Sequence, residues 1–164
     1  MTENTKHSDA ELAQVVGLVE SDGPVSPPTL LGLQHLDVSG RALAEIAKVS
    51  PPTISKWRHG RAEMPNETSV FLSFVLASLI DEREDELFVA AKASDDWKNT
   101  QGRRLATARL CLAAQEHINA TVSADVIRLA THRFRHWWND HCQSRVADAM
   151  ADVPYGAKPV KRAG

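Results

Sequence analysis

Cysteine is scarce in this sequence, whose 164 residues include only Cys111 and Cys142. Their wide separation fits neither a disulfide framework nor a CxxC zinc site, and free thiols are typical of the reducing cytoplasm. Long apolar runs are also missing, because the longest, 70–80, is interrupted by two serines and is too short to span a bilayer. Residues 1–20 lack the basic stretch and apolar run that mark a secretory signal. We therefore expect a cytoplasmic protein with no membrane partner.

Catalytic motifs are absent as well. The sequence contains no glycine-rich phosphate loop, nucleophile elbow or HExxH motif. No pair of carboxylates stands out from the charged surface. We therefore expect that the chain is not an enzyme and needs no cofactor.

His132, His136 and Asp140 form a cluster of potential metal ligands, close to Cys142 and spaced so that they share one face of a helix. Imidazole and carboxylate groups at this spacing can share a metal ion, but a closed site needs further ligands at recognised spacing. We therefore expect no metal site here. The basic and aromatic residues within 128–137 leave open a second contact with nucleic acid or protein.

Charge is distributed unevenly along the chain. The net charge of −2 makes the surface as a whole a poor match for a polyanion, so a face for nucleic acid would have to be local. Residues 39–65 carry five basic and two acidic side chains, a net of +3. Residues 1–38 carry one basic and six acidic side chains, and residues 81–96 carry two and seven. A basic segment between two acidic ones fits a local phosphate-binding face, and on charge alone it fits chance variation of a solvated surface equally well.

Helical periodicity recurs along the chain, and the strict apolar–polar alternation of a half-buried strand is almost absent. The sequence therefore predicts an all-α protein. Helices are predicted at 8–20, 28–36, 66–93, 103–118 and 123–152, with a polar boundary at 94–102. The acidic run 81–86 either breaks the third of these helices or forms its solvated side.

Residues 39–57 have the pattern of two short helices joined by a tight turn. Ser39 can cap the first helix, and Ala44 is small enough for the second helix to cross it. Ser50 precedes a proline, which keeps it extended and ends the first helix, and Pro52 suits the first turn of the second. The apolar residues with core spacing are Leu43, Ala47, Val49, Ile54 and Trp57. The residues left exposed on the second helix are Thr53, Ser55, Lys56 and His59.

This segment resembles the helix-turn-helix of the Cro and phage-repressor (XRE-like) family. The resemblance is carried by Leu43-Ala44-Glu45, Val49-Ser50, Thr53-Ile54-Ser55-Lys56-Trp57, Gly60 and Pro65, and extends over about residues 28–80. It implies a five-helix DNA-binding domain, usually dimeric, that places the helix near 52–57 in the major groove. From the exposure and charge of this segment together with the resemblance, the residues that we expect to bind DNA are Arg41, Ser50, Pro51, Pro52, Thr53, Ser55, Lys56, Arg58, His59 and Arg61.

Two positions depart from the family pattern. Lys48 occupies a position where the family usually has a left-handed glycine, at a cost of about 1 kcal/mol. Pro51 and Pro52 stand where the family often has polar residues that read bases, and proline cannot donate a hydrogen bond. Base discrimination would therefore fall on the residues that follow them.

We therefore expect a sequence-specific transcription regulator that binds double-stranded DNA in the cytoplasm, on the nucleoid. Its expected parts are an N-terminal helix and linker (1–26), the helix-turn-helix domain (27–93), a helical region for dimerisation or partner binding (97–152), and a flexible basic tail (153–164). Two alternatives remain open from the sequence. One is a DNA-recognition and assembly protein similar to a phage small terminase, and the other is a protein-interaction module with a degenerate helix-turn-helix.

Overall fold

The computed structural model describes residues 26–90 and 93–151. The helix expected at 8–20 and the basic tail expected at 153–164 lie outside the described residues. In the part described, all regular structure is helical and no strand is present, which confirms the all-α prediction there. The helices are α1 (Pro28–His35), α2 (Gly40–Ala47), α3 (Pro51–Arg58), α4 (Asn66–Val89), α5 (Asp95–Asn119) and α6 (Ala124–Ala151).

Helix α5 begins earlier than its apolar pattern indicates, and the polar boundary predicted at 94–102 is wrong. Ser94 is the N-cap, and its Oγ accepts a hydrogen bond from the backbone N–H of Trp97 at 3.2 Å. Asp95 and Asp96 lie in the first turn, where negative charge is favourable beside the positive end of the helix dipole. Capping chemistry therefore extends the helix through a stretch whose composition resembles a loop.

Helix α4 is the centre of the bundle. Its buried apolar residues are Val70, Phe71, Leu72, Val75, Leu76 and Ile80. The acidic run 81–86 continues the same helix, so the second of the two sequence interpretations is correct. Arginines of the later helices pair with this run, with Arg109 contacting Glu84 and Arg145 contacting Glu82.

Of the three long helices, α4 and α6 run in the same direction and α5 runs in the opposite one. Helix α5 is antiparallel to α4, because Asn119 donates to Ser73 near the start of α4, and Gln101 accepts from Arg83 near its end. Helix α6 is parallel to α4 and packs on a different side of it, with the rings of Phe74 and Phe134 5.9 Å apart. Helix α1 packs against α5.

Helices α2 and α3 lie at the end of the bundle where α4 and α6 begin. Arg133 of α6 donates to the Ala47 carbonyl at the end of α2 at 2.5 Å and to Glu67 in the first turn of α4 at 2.9 Å. One apolar core extends from Leu30 to Ala130 and includes residues on both sides of the domain boundary expected near residue 95. None of the described helices combines the length and apolar character needed to cross a membrane.

Candidate functional site

Residues 48–50 form the turn between α2 and α3. Lys48 adopts the left-handed conformation, with φ 59° and ψ 47°, at the position where the helix-turn-helix resemblance implies a glycine. The N–H of Val49 donates to the Ala44 carbonyl at 3.0 Å, which closes the end of α2. Ser50 is extended, with φ −81° and ψ 153°, as expected for a residue before proline.

Serine caps begin both short helices. Ser39 accepts from the N–H of Ala42 at 3.1 Å, and this confirms the predicted cap. Ser50 accepts from the N–H of Thr53 at 3.4 Å and shares a 3.0 Å hydrogen bond with the Thr53 hydroxyl. Two prolines at the first positions of α3 leave no N–H unsatisfied there. The caps therefore fix where α3 starts.

The inner faces of α2 and α3 are buried, as the sequence predicts. Ile54 and Trp57 retain 1% and 5% of their accessible surface, so neither can contact a partner molecule. Leu43, Ala44 and Ala47 of α2 are also buried, and Val49 packs against the same core. The angle between the two helices is therefore set by apolar packing.

The outer face of α3 is open to solvent. The exposed members of the predicted site are Arg41, Ser50, Pro51, Pro52, Ser55, Lys56, His59 and Arg61. Arg58 and Thr53 are half-buried. The expectation that Thr53 is exposed is thus wrong in part, because its hydroxyl completes the cap of α3.

His59 has a defined orientation at the end of α3. Its Nδ1 donates to the Ser55 carbonyl at 2.8 Å. In the neutral ring this bond places the proton on Nδ1 and leaves Nε2 as an acceptor. The imidazole can therefore accept a hydrogen bond from a donor outside the chain.

The side chain of Arg58 lies beside the first turn of α2. A Cβ built on Gly40 would be 3.3 Å from Arg58 Nη1, so the guanidinium is close to the backbone there. The Nε atom of Arg58 is buried and has no hydrogen-bond partner among the described residues. A cation beside a helix N-terminus is unfavourable, because the N-terminal end of the helix dipole is itself positive. An anion bound between the two would remove this repulsion. Arg58, exposed Arg41 and this helix end together suit an anionic group.

The basic side chains of this segment differ in their pairing from most arginines in the rest of the described chain, although Arg103 and Arg135 also make no ion pair there. Within residues 26–90 and 93–151, Arg41, Lys56, Arg58 and Arg61 make no ion pair with a carboxylate. The arginines that do are Arg83, Arg104, Arg109, Arg128, Arg133 and Arg145. The charge at α2 and α3 is therefore not neutralised by these described carboxylates.

On the far side of α2, the His132 and His136 rings lie 4.8 Å apart and border a cavity with Trp137 and Lys48. Among the described residues, no three histidine, cysteine, aspartate or glutamate side chains converge as metal ligands. Trp137 borders this cavity, whereas Trp138 borders a groove on the other side of α6.

Sequence reasoning missed the contribution of Arg133. Its guanidinium joins the last turn of α2 to the first turn of α4 and also lies 4.3 Å from the centre of the Phe71 ring. The sequence offers no local signal for these contacts, because Arg133 and Ala47 are 86 residues apart. The residue positions α2 but does not reach the outer face of α3.

The chain was also compared with known proteins. No family model matches it, and no curated protein or solved structure was found to match it. What the protein does must therefore be inferred from the packing, exposure and charge of α2 and α3.

Proposed function

We propose that this chain is a sequence-specific DNA-binding transcription regulator that inserts α3 into the major groove and acts as a homodimer on the nucleoid. The observation that carries the proposal is the contrast between the two faces of α3. Ile54 and Trp57 anchor one face in the core, while Ser55, Lys56 and His59 of the other are uncovered by any described helix. An α-helix exposed in this way has the dimensions of the major groove.

The outer face of α3 has suitable groups for reading base edges. Ser55 can donate or accept, Lys56 can donate to guanine O6 and N7, and the free Nε2 of His59 can accept from an exocyclic amine. Pro51 and Pro52 offer apolar contact to a thymine methyl. Thr53 is assigned to the cap instead, because its hydroxyl is already bonded to Ser50.

The surrounding cations have the character of phosphate contacts. Arg58 and the first turn of α2, which carries Arg41, are assigned to one anion-binding site, and Arg61 lies beyond the end of α3. Such contacts orient the protein on the duplex without reading sequence.

The proposal is tested first by selecting bound sequences from a random DNA pool with the full-length protein. We expect one motif to be enriched, and fluorescence anisotropy then gives its affinity as a function of salt. Lys56→Ala should weaken binding and, if Lys56 contacts phosphate, lower the slope of log affinity against log salt by about one unit. Ser55→Ala should instead relax the base preference at one position.

The matched control is Arg109→Ala, which removes one positive charge from α5, where Arg109 pairs with Glu84. This variant should keep the wild-type affinity and salt slope. Failure to enrich any sequence, or wild-type binding by the Lys56 and Ser55 variants together, would refute the proposal. A light-scattering mass separates regulation from assembly, since a ring of many subunits would favour the terminase-like alternative.

A further inference from the structure

A groove between α4 and α6 is open on one side of the bundle. The two helices run parallel, with the ring centroids of Phe74 and Phe134 5.9 Å apart. From these rings the groove continues toward the ends of both helices, where Val89 and Val146 border it. Its main cavity has a volume of about 750 Å³, and the residues that line this cavity all belong to α4 or α6.

The wall that α6 contributes is aromatic. Phe134 and Trp138 line the main cavity, with ring centroids 6.0 Å apart and ring planes within 20° of parallel. Phe74 borders the adjoining cavity, so three half-buried rings form one continuous surface. Contiguous apolar surface that is open to solvent marks an interaction site. The face of an aromatic ring also attracts a cation within about 6 Å of its centre.

The wall that α4 contributes is acidic. Two successive turns of the helix carry four carboxylates that line the main cavity, namely Asp81, Glu82, Asp85 and Glu86. Glu82 is bonded to His141 at 2.9 Å and to Arg145 at 2.7 Å, so the one arginine that lines this cavity is already paired. Glu86 is paired with Arg83 of its own helix at 3.1 Å. Two of the four carboxylates are therefore neutralised within the chain.

The other two carboxylates, Asp81 and Asp85, have no partner. Both are exposed, and neither makes an ion pair or a side-chain hydrogen bond among the residues that the structure describes. They are one helical turn apart, so their like charges repel each other. Asp81 is the closer of the two to the rings, because it borders both cavities together with Phe134. A cation bound here would be attracted by both carboxylates.

The size of the groove favours a small molecule over a protein partner. From Phe74 to Val89 the helix rises about 22 Å, and two helices side by side are about 20 Å wide. This face is about half of the roughly 800 Å² per partner that a stable protein interface buries. The cavity of about 750 Å³, in contrast, lies within the range of about 300–1,000 Å³ that is typical of small-molecule sites. No three potential metal ligands converge in the described part of the chain, so the bound charge belongs on an organic molecule.

We propose that the groove between α4 and α6 binds a small lipophilic organic cation. Its apolar groups contact the rings of Phe134 and Trp138, and its charge lies beside Asp81 and Asp85. The two unpaired carboxylates select the sign of the charge, and the rings on the opposite wall select the apolar groups. This site goes beyond the proposed function and does not rest on DNA binding.

The first experiment measures the binding of tetraphenylphosphonium to the full-length protein by isothermal titration calorimetry. Tetraphenylborate is the matched control, because the two ions have nearly the same size and shape and opposite charges. We expect the cation to bind about tenfold more tightly than the anion or better, since the unpaired carboxylates attract one and repel the other. Added salt should reduce this difference, because it screens exposed charges.

The second experiment repeats the titration with variants of the groove. Asp81→Asn should weaken tetraphenylphosphonium binding about fivefold or more. The matched control is Glu116→Gln, which removes one negative charge from an exposed position of α5 outside the groove and should keep the wild-type affinity. Trp138→Leu should weaken binding about two- to fivefold, because leucine is apolar but has no aromatic face.

Thermal denaturation separates a ligand-binding role of Asp81 from a structural one. Asp81→Asn removes the repulsion from Asp85, so the variant should have a Tm no lower than that of the wild type. A structural role would instead lower the Tm together with the affinity, and that result would count against the proposal.

The third experiment locates the bound cation. Cys142 is half-buried and lines the groove, whereas Cys111 is buried elsewhere. Tetraphenylphosphonium should slow the alkylation of Cys142 by iodoacetamide in proportion to the fraction of protein that is in the complex. Mass spectrometry of the peptide that contains Cys142 measures this rate.

The proposal is overturned if about 1 mM tetraphenylphosphonium shows no binding, or if the two ions bind equally well. Wild-type affinity in Asp81→Asn, or an equal loss in Glu116→Gln, would also refute it. Binding that leaves the alkylation rate of Cys142 unchanged would place the cation elsewhere on the chain and would refute this site. These measurements contain no DNA, so their failure leaves the proposed DNA binding untouched.

Discussion

Arg133 joins three parts of the protein, and its replacement by methionine tests how strongly α6 holds α2 in place. The guanidinium donates to the Ala47 carbonyl at 2.5 Å, to Glu67 at 2.9 Å and to Thr68 at 3.2 Å. Its carbon lies 4.3 Å from the centre of the Phe71 ring. Arg133→Met keeps an unbranched chain over that ring and removes every hydrogen bond and the charge.

The expected loss follows from these contacts. A hydrogen bond to a charged group contributes about 1.5–3 kcal/mol to the free energy of unfolding, and the substitution removes the donor while leaving the acceptor in place. The side chains of Arg133 and Glu67 are 26% and 29% exposed, so solvent screens the ion pair and the lower values apply. We therefore expect the free energy of unfolding to fall by about 2–3 kcal/mol. For a chain of this size, that lowers Tm by about 5–10 °C.

Thermal and urea denaturation followed by circular dichroism measure this loss. The matched control is Arg128→Met on the same helix, where the exposed arginine pairs with Asp125 one turn away. The control should have the same Tm as the wild type, because exposed ion pairs of this kind contribute little to stability. If Arg133→Met changes the free energy of unfolding by less than about 0.5 kcal/mol, with the slope m of that free energy against urea concentration unchanged, the reasoning is refuted.

Three further predictions follow from the core and the turn. Trp57→Ala should lose about 3–5 kcal/mol and unfold the α2–α3 unit, so an unchanged melting curve would show that this tryptophan is not core. Lys48→Gly should stabilise the protein by about 1 kcal/mol, because glycine adopts the left-handed conformation without strain; a lower Tm would contradict this. Burial raises the pKa of Cys111 from its ordinary 9.0 to about 11. The thiol therefore contributes stability below pH 9 that is lost as pH rises toward 11, and iodoacetamide at pH 8 should modify Cys142 well before Cys111.

The elements that depend on local chemistry could be predicted from the sequence. The Ser39 cap, the extended Ser50 and the start of α1 at Pro28 each follow from the preferences of one or two neighbouring residues. The burial of Ile54 and Trp57 follows from helical spacing alone. The two faces of α3 could be told apart for the same reason.

Features that depend on distant residues could not be predicted in this way. The role of Arg133 requires knowing that α6 runs parallel to α4, which no local pattern encodes. Helical spacing predicts that Thr53 lies on the outer face of α3. Its hydroxyl instead forms a hydrogen bond with the hydroxyl of Ser50 and is part of the cap. The start of α5 at Asp95 could not be predicted from the sequence, because Asp95 and Asp96 are as common in loops as in the first turn of a helix.

The contact between Arg133 and Ala47 also has a consequence for biosynthesis. Helix α2 emerges from the ribosome early, but the side chain that fixes its last carbonyl belongs to the final helix of the described chain. Helix α1 similarly waits for Arg104, which donates to the His35 carbonyl across 69 residues. The surface built on α2 and α3 is therefore completed only after α6 has been synthesised, and a nascent chain halted before α6 should not present it in its final form.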